Sequence, residues 1–467
     1  MRFTNRKYKN LTNNTLLFAI SSFGTKILSF FLVPLYTDIL SPSEYGIADI
    51  LCSTVTLLIV VLTINIADGV LIFSMDKEFC PTRILSYGIK RVFDGCIVLA
   101  LICICIRFVN ILKWPTYYYV FIFLLFLTSA VYQVFSNYLR ATEKVKEVAI
   151  VGVISSFVYI LSNIFFLLIV DIGLYGYLTS LVVGPSIGLM CCLIVIKPKL
   201  KDLVHKFPDN NQKKAILNYC FPLIFNSIAL WINSCLDRYF VASYCGIAEN
   251  GIYSIASKIP LFLAVFYTVF SQAWTLSAVK EFDSEDKDGF FANTYAIYNA
   301  SMCIVCSLLI LFNVPLAKIL YRNEFFEAWN YSSILILGVF FNSLTAFVGS
   351  IFSAKKKSNV LASTTIISAV VNTCLNVVLI PICGVIGAAI STTVSLLIMW
   401  VIRMIKLREL IYLKVDSFKD IFAYILLAVQ VIIEHTENHL YLGQILIVIT
   451  LMILYGNKLM TIIKPSN

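Results

Sequence analysis

Apolar residues in this chain come in long unbroken runs, and the polar residues gather in the gaps between them. Runs of about 18–25 mostly apolar residues are what a helix needs to cross a hydrocarbon core of roughly 30 Å. They predict membrane helices near 14–36, 45–73, 89–109, 115–138, 148–170 and 174–196. A second series is predicted near 215–244, 250–274, 291–316, 330–353, 359–380 and 384–404, with a last pair near 418–434 and 441–460. Between the two series, Lys197 to Lys214 carries Pro198, Pro208 and a run of Asp, Asn and Gln, and reads as a linker. The expected fold class is therefore an all-α polytopic membrane protein of about fourteen transmembrane helices. Residues 1–197 form an N-terminal six-helix lobe, 198–214 a cytoplasmic linker, 215–405 a C-terminal six-helix lobe and 406–467 an extra helix pair.

The two halves repeat each other. Glu44-Tyr-Gly46 entering the second segment matches Glu249-Asn-Gly251 entering the eighth, and Gly173-Leu-Tyr-Gly176 with Ser180 matches Gly384-Val-Ile-Gly387 with Ser391. Six helices per half put both repeats in the same orientation, so they are expected to be parallel repeats about an axis along the membrane normal.

Charge then sets the orientation. Lys and Arg collect in every second connection and at both ends, while only Arg107, Lys113, Lys318 and Arg322 fall on the opposite side. Positive charge is retained on the cytoplasmic side, so both termini are expected there. The start is basic like that of a signal peptide, but the apolar run continues through Lys26 to Pro34 without a small-residue cleavage site and reads as an uncleaved first helix. With 60% hydrophobic and 13% charged residues and a mean hydropathy of +0.88, the chain lies outside the soluble globular range. Its formal charge of +10 sits beside anionic lipid headgroups, which argues against a nucleic-acid partner. Most of the fourteen cysteines lie inside apolar runs as small hydrophobes, Cys303 and Cys306 included. Tyr117, Tyr118 and Tyr119 after Trp114 mark an interfacial aromatic belt.

Three cations remain, Lys26, Arg238 and Lys258, each inside an apolar segment where an ionised side chain is costly and is by default a site. Ser22, Thr25 and Lys26 share one face of the first segment; Asn226, Asn233 and Asp237 run beside Ser227, Ser234 and Arg238 on the seventh; Ser254, Ser257 and Lys258 lie on the eighth, followed by Thr268 and Gln272. The residues expected to bind substrate are Lys26, Arg238 and Lys258, in a cavity of surplus positive charge suited to an anion such as phosphate. Asp237, Asp68, Asn233, Ser22 and Thr25 are expected to support or couple. Asp237 and Arg238 could equally serve as ties between helices, and Lys26 could reach towards an interface. His435 and His439 at i, i+4 beside Glu434 and Glu437 have a chelating spacing but fall in a short outer turn where solvated polarity is expected. No metal site and no cofactor is expected, H+ or Na+ coupling is left open, and no catalytic motif is visible, so an enzyme is not expected.

The stretch Lys26-Ile-Leu-Ser-Phe-Phe-Leu-Val-Pro34 followed by Leu40-Ser-Pro-Ser-Glu44-Tyr45-Gly46 resembles the opening of the Wzx-type flippases of O-antigen and capsule repeat units. These belong to the multidrug/oligosaccharidyl-lipid/polysaccharide exporter superfamily. Asp237-Arg238 leading to Asn250-Gly251-Ile252-Tyr253-Ser254-Ile-Ala-Ser-Lys258 resembles the start of that family's second half, and Ala354-Lys-Lys-Lys-Ser358 its cytoplasmic connection after the tenth helix. The resemblance implies a MATE-like bundle of two lobes in the bacterial plasma membrane. It would carry an undecaprenyl-pyrophosphate-linked oligosaccharide outwards by alternating access, the pyrophosphate meeting Lys26, Arg238 and Lys258. Implied partners are the lipid-linked oligosaccharide, membrane lipid, a polysaccharide polymerase and a chain-length regulator. A drug or metabolite exporter of the same fold is the nearest alternative, and the surplus of intramembrane cations argues against it. A membrane polysaccharide polymerase or ligase is the other, and the absence of a large external loop argues against that.

Overall fold

The computed structural model describes residues 30–109, 114–196, 207–281, 283, 286–411, 413, 416–436 and 440–463, and all regular structure among them is helical. The first half contains α1 (Val33–Ile39), α2 (Pro42–Leu62), α3 (Ile66–Met75), α4 (Pro81–Val109), α5 (Thr116–Ala141), α6 (Val145–Ile164) and α7 (Gly173–Ile196). It is followed by α8 (Asn210–Trp231), α9 (Asp237–Tyr244), α10 (Ile247–Ala256), α11 (Pro260–Lys280), α12 (Phe290–Leu311) and α13 (Asn313–Leu320). The last helices are α14 (Trp329–Ala354), α15 (Ser358–Cys383), α16 (Val385–Leu407), α17 (Ser417–Glu434) and α18 (Tyr441–Ile463).

Eleven helical spans among the described residues are long and apolar enough to cross a bilayer, and they correspond to the second to twelfth predicted segments. Most of the first segment lies outside the described residues. The final pair forms helices close to the predicted bounds. On α4, Phe93, Ile97, Leu101, Ile104 and Phe108 recur at three- and four-residue spacing and are exposed, Phe108 to 90%, while Val92, Cys96 and Leu99 on the opposite face are buried. An exposed apolar stripe the length of a helix belongs in lipid, because water would penalise it along its whole length.

Contacts divide the chain into two compact units. Among the described residues, the first holds 30–32 and Ile39–Trp231, and the second holds Val33–Asp38 and the residues from Ile232 onwards. α8 therefore belongs to the first unit, although it follows the linker. Trp231 Nε1 donates to the Ser53 carbonyl at 2.9 Å, and Gly69 of α3 lets Cys220 approach so closely that a Cβ there would sit 2.5 Å from its sulfur. In the second unit α1 is held by Thr37, whose Oγ1 donates to the Leu320 carbonyl at 3.0 Å and accepts from the Arg322 amide at 3.1 Å.

Two predicted segments prove to be broken. The second stops at Thr63, turns through Ile64 and Asn65 with φ of 59° and 50°, and restarts as α3. Left-handed backbone is costly for a β-branched residue such as Ile64, so the surrounding packing must hold it there. The eighth segment breaks at Ser257–Ile259, and Pro260, which has no N–H to give to a preceding turn, opens α11. The seventh is continuous but passes through a π turn at Ile232–Leu236.

The sequence repeat has a packing cause in each unit. Gly173 and Gly384 both have positive φ at the start of their helices, and Ser180 and Ser391 each donate to the carbonyl of the glycine four residues earlier, at 2.9 and 2.7 Å. Gly176 faces Phe166 and Gly387 faces the Leu379 backbone, so each lets a helix cross the end of its predecessor. One further correspondence escaped the sequence comparison: Ser155 Oγ donates to the Gly184 carbonyl at 2.7 Å between α6 and α7, as Ser368 Oγ does to the Ser395 carbonyl at 3.0 Å between α15 and α16. A Cβ at Gly387 would lie 2.4 Å from the Leu379 oxygen, a backbone atom that cannot step aside. Gly387→Ala is therefore expected to lower stability by about 1–3 kcal/mol. Gly152, in mid-helix with nothing within 4 Å of a Cβ, should instead gain roughly 0.5–1 kcal/mol on substitution by alanine. Thermal unfolding of the two purified variants checks both signs, and equal melting temperatures would refute the close-crossing account.

Candidate functional site

Asp237 opens α9 directly after the π turn. A π turn accommodates one more residue than an α-helical turn, and each residue corresponds to about 100° of rotation. The straight-helix stripe through Asn226, Asn233 and Asp237 is therefore corrected: Asn233 lies within the π turn, and the residues on either side of it no longer share the predicted face.

The carboxyl of Asp237 is 4% exposed. Its Oδ2 accepts from the Tyr253 hydroxyl of α10 at 2.5 Å and from Thr392 Oγ1 of α16 at 3.2 Å, and its Oδ1 accepts from the Arg238 amide at 3.0 Å. Asn372 Nδ2 of α15 reaches Thr392 Oγ1 at 3.3 Å, and Asn376 Nδ2 donates to Asn372 Oδ1 at 3.0 Å. The chain of hydrogen bonds ends on Asn376 Oδ1, which is fully buried and has no hydrogen-bond partner among the described residues. Alongside, Asn233 Nδ2 donates to the Thr365 carbonyl at 3.2 Å, and Asn233 Oδ1 lies 3.0 Å from Ser368 Oγ. A carboxylate surrounded by hydroxyl and amide oxygens, with a spare buried carbonyl at the end of the network, offers hard oxygen ligands to a proton or a small cation.

The structure brings Asp237, Arg238 and Asn233 together in the second unit. Arg238 and Lys258 are both half-buried, Lys258 in the turn that separates α10 from α11. The next residue, Ile259, donates its amide to the Tyr321 hydroxyl at 3.3 Å. Asp68 belongs to the first unit, where Asn65 Nδ2 donates to it at 2.8 Å. Lys26, Ser22 and Thr25 lie outside the described residues. Sequence reading passed over Thr392, Asn372 and Asn376 and gave Tyr253 no part in the site. Ser368, Asn372 and Asn376 recur at four-residue spacing in an apolar segment, a signal that was present and that marks one helix face.

Two polar residues assigned to the surface are interior. Arg403, counted with the cytoplasmic connections, lies in α16 at 7% exposure. Its guanidinium donates to Thr364 Oγ1 at 3.0 Å, Thr365 Oγ1 at 3.2 Å and the Thr345 carbonyl at 3.1 Å, joining α14, α15 and α16. Glu434, assigned to a solvated outer turn, is fully buried, and its Oε1 accepts from Asn313 Nδ2 at 3.0 Å. The neighbouring His435 ring nitrogens lie 2.8 and 2.9 Å from the Val431 and Asn330 carbonyls, and His439 is outside the described residues.

The model of the polysaccharide biosynthesis protein family matches residues 11–275, more than half of the chain. The chain belongs to that family. The MatE family model also matches, over residues 222–378, the stretch that holds Asp237, Tyr253 and Asn372. The probable low-salt glycan biosynthesis flippase Agl15 of Haloferax volcanii is 25% identical over 225 residues, which are 46% of this chain and 45% of that protein. The chain thus spans about half the length of the curated relative it matches. Among solved structures, the lipid II flippase MurJ in an inward closed conformation superimposes with a TM-score of 0.69 at 16% identity, covering 95% of this chain and 99% of that one. An inward-facing multidrug resistance MATE family transporter of the MOP superfamily gives 0.68 at 11% identity, covering 84% and 97%. The fold is that of the MurJ and MATE transporters, and the protein is a multi-pass membrane protein.

Proposed function

We propose that the protein is a flippase, not an enzyme, which moves lipid-linked oligosaccharide repeat units across the bacterial plasma membrane by alternating access. In this reading both termini are cytoplasmic, the cargo hangs from undecaprenyl pyrophosphate, and the product is O-antigen or capsule. Arg238 and Lys258, with Lys26, bind the pyrophosphate, while Asp237 exchanges the coupling H+ or Na+. The observation that carries the reading is the pair of half-buried cations, Arg238 beside the Asp237 network and Lys258 at a helix break, in a chain of the polysaccharide biosynthesis family. An ionised side chain at membrane depth is retained where it meets cargo or ions, and Arg grips phosphate with a planar donor fork. Family membership and the flippase named among its relatives support the same conclusion.

A second reading, a cation-coupled exporter of small molecules, is favoured by one observation, the fully enclosed Asp237 inside the stretch matched by the MatE model. The two separate in a single experiment. Lys26→Ala, Arg238→Ala and Lys258→Ala should each lower surface polysaccharide about tenfold or more while the protein stays in the membrane, with Lys26→Arg keeping more than Lys26→Ala. Normal surface polysaccharide in all three, with altered resistance to cationic drugs, would replace the flippase with the exporter.

A further inference from the structure

The first unit contains a cavity of about 330 Å³ between α2, α5, α6 and α7, at the small end of the roughly 300–1,000 Å³ range of ligand pockets. Among the described residues, no Asp, Glu, Lys, Arg or His lines it. An ionic ligand would lose its hydration there without gaining a counter-charge. An acyl chain fits no better, because the walls carry too many polar groups: Ser129 and Gln133 one turn apart on α5, Ser156 on α6 and Thr56 on α2. Ser129, Gln133 and Ser156 make no side-chain hydrogen bond to the protein among the described residues. Covering them with hydrocarbon would strip each group of water and leave it unpaired, which is unfavourable.

The remaining wall groups sort by what they can still offer. Thr56 spends its hydrogen on the Ser53 carbonyl at 2.8 Å and keeps its lone pairs as acceptors. Ser155 spends its own on the Gly184 carbonyl, tying α6 to α7 and fixing the far wall. Pro185, within α7, has no N–H for the Leu181 carbonyl, so α7 presents that acceptor without its usual helical donor at the cavity edge. The lining thus holds two hydroxyls and an amide able to donate and accept, further acceptors, and apolar surface from Val55, Ile59 and Leu125. Apolar walls studded with neutral donors and acceptors match a molecule with C–H faces and hydroxyl edges.

We infer that this cavity is a binding site for one or two neutral sugar rings of the cargo glycan, separate from the charged site in the second unit. The inference rests on the flippase reading for the source of the sugar, and the pocket chemistry supplies the class.

Cys52 lies on the cavity wall and provides the probe, with the exposed Cys80 as an internal reference whose thiol the Thr82 hydroxyl holds below its usual range. Full-length protein in lipid nanodiscs is alkylated with N-ethylmaleimide, and the two sites are followed by mass spectrometry. Galactose or N-acetylglucosamine at about 50 mM, enough to fill a site of millimolar affinity, should slow alkylation at Cys52 about threefold relative to Cys80. Glucuronate should not. Gln133→Leu combined with Ser129→Ala should remove the protection while leaving the unliganded rates unchanged. Absence of protection by neutral sugars, equal protection by glucuronate, or protection that survives the double substitution would each overturn the site. In cells, Ser156→Trp should fill the cavity and reduce surface polysaccharide, with Ser156→Ala as the folding control. Normal export by a folded Ser156→Trp protein would sink the sugar site and leave the flippase standing. Sugar protection in a protein whose deletion leaves surface polysaccharide intact would do the reverse.

Discussion

Asp237→Asn is expected to cut transport by at least about tenfold, the scale of an intramembrane ionisable group removed from its task, while the protein remains folded and in the membrane. The amide is nearly isosteric with the carboxyl, and its single oxygen can serve either the Arg238 amide at Oδ1 or the Tyr253 and Thr392 hydroxyls at Oδ2, but not both. That mismatch costs about 1–2 kcal/mol, a tolerable fraction of a domain's stability. Asp237→Ala leaves all three donors without an acceptor, so it should fall in abundance as well as in activity. Transport is read as surface polysaccharide in cells and as substrate protection in proteoliposomes. Wild-type transport by Asp237→Asn would reduce the carboxylate to a helix tie joining α9, α10 and α16, a role its hydrogen bonds already perform.

Arg403 should give the largest loss of stability, with no part in binding. Its guanidinium has four protein acceptors on α14 and α15, and no carboxylate lies among those partners. Truncation to alanine empties the space that joins three helices, and about 3 kcal/mol is the scale of such a large-to-small change in a core. Methionine fills much of that space and also removes the cost of burying a charge, so Arg403→Met should lie well above Arg403→Ala in melting temperature. Lysine keeps the charge but not the planar fork, and should fall between alanine and wild type. If alanine and methionine melted together, the charge rather than the packing would be what Arg403 contributes. If alanine melted like wild type, the interior placement of Arg403 would be wrong.

The placement of Arg403 marks a limit of sequence reading. A cation near the end of an apolar segment looks the same whether it enters solvent or turns back between helices. Only Thr345, Thr364 and Thr365, each roughly forty to sixty residues away, distinguish the two. Glu434 is the same case: the partner that lets it be buried, Asn313, is 121 residues earlier. For the candidate site, Asp237, Arg238 and Lys258 were legible because ionisable residues are rare in apolar runs. Thr392 was not, since one threonine in a helix full of small residues carries no signal until α16 brings it 3.2 Å from Asp237.

The sequence by itself determined the membrane class, the approximate places of the second to twelfth segments, the expected sidedness and the repeat. Those properties are local: an apolar run long enough to cross a bilayer, the side on which Lys and Arg collect, and glycines followed four residues later by serine need no distant partner to be recognised. Tertiary structure alone decided the break at Ile64, the π turn that re-aims Asn233, the membership of α8 in the first unit and the hydrogen-bond chain from Asp237 to Asn376. Each of these depends on how helices that are far apart in sequence pack, because in a dry interior a polar group or a strained backbone persists only where a neighbouring helix satisfies or confines it.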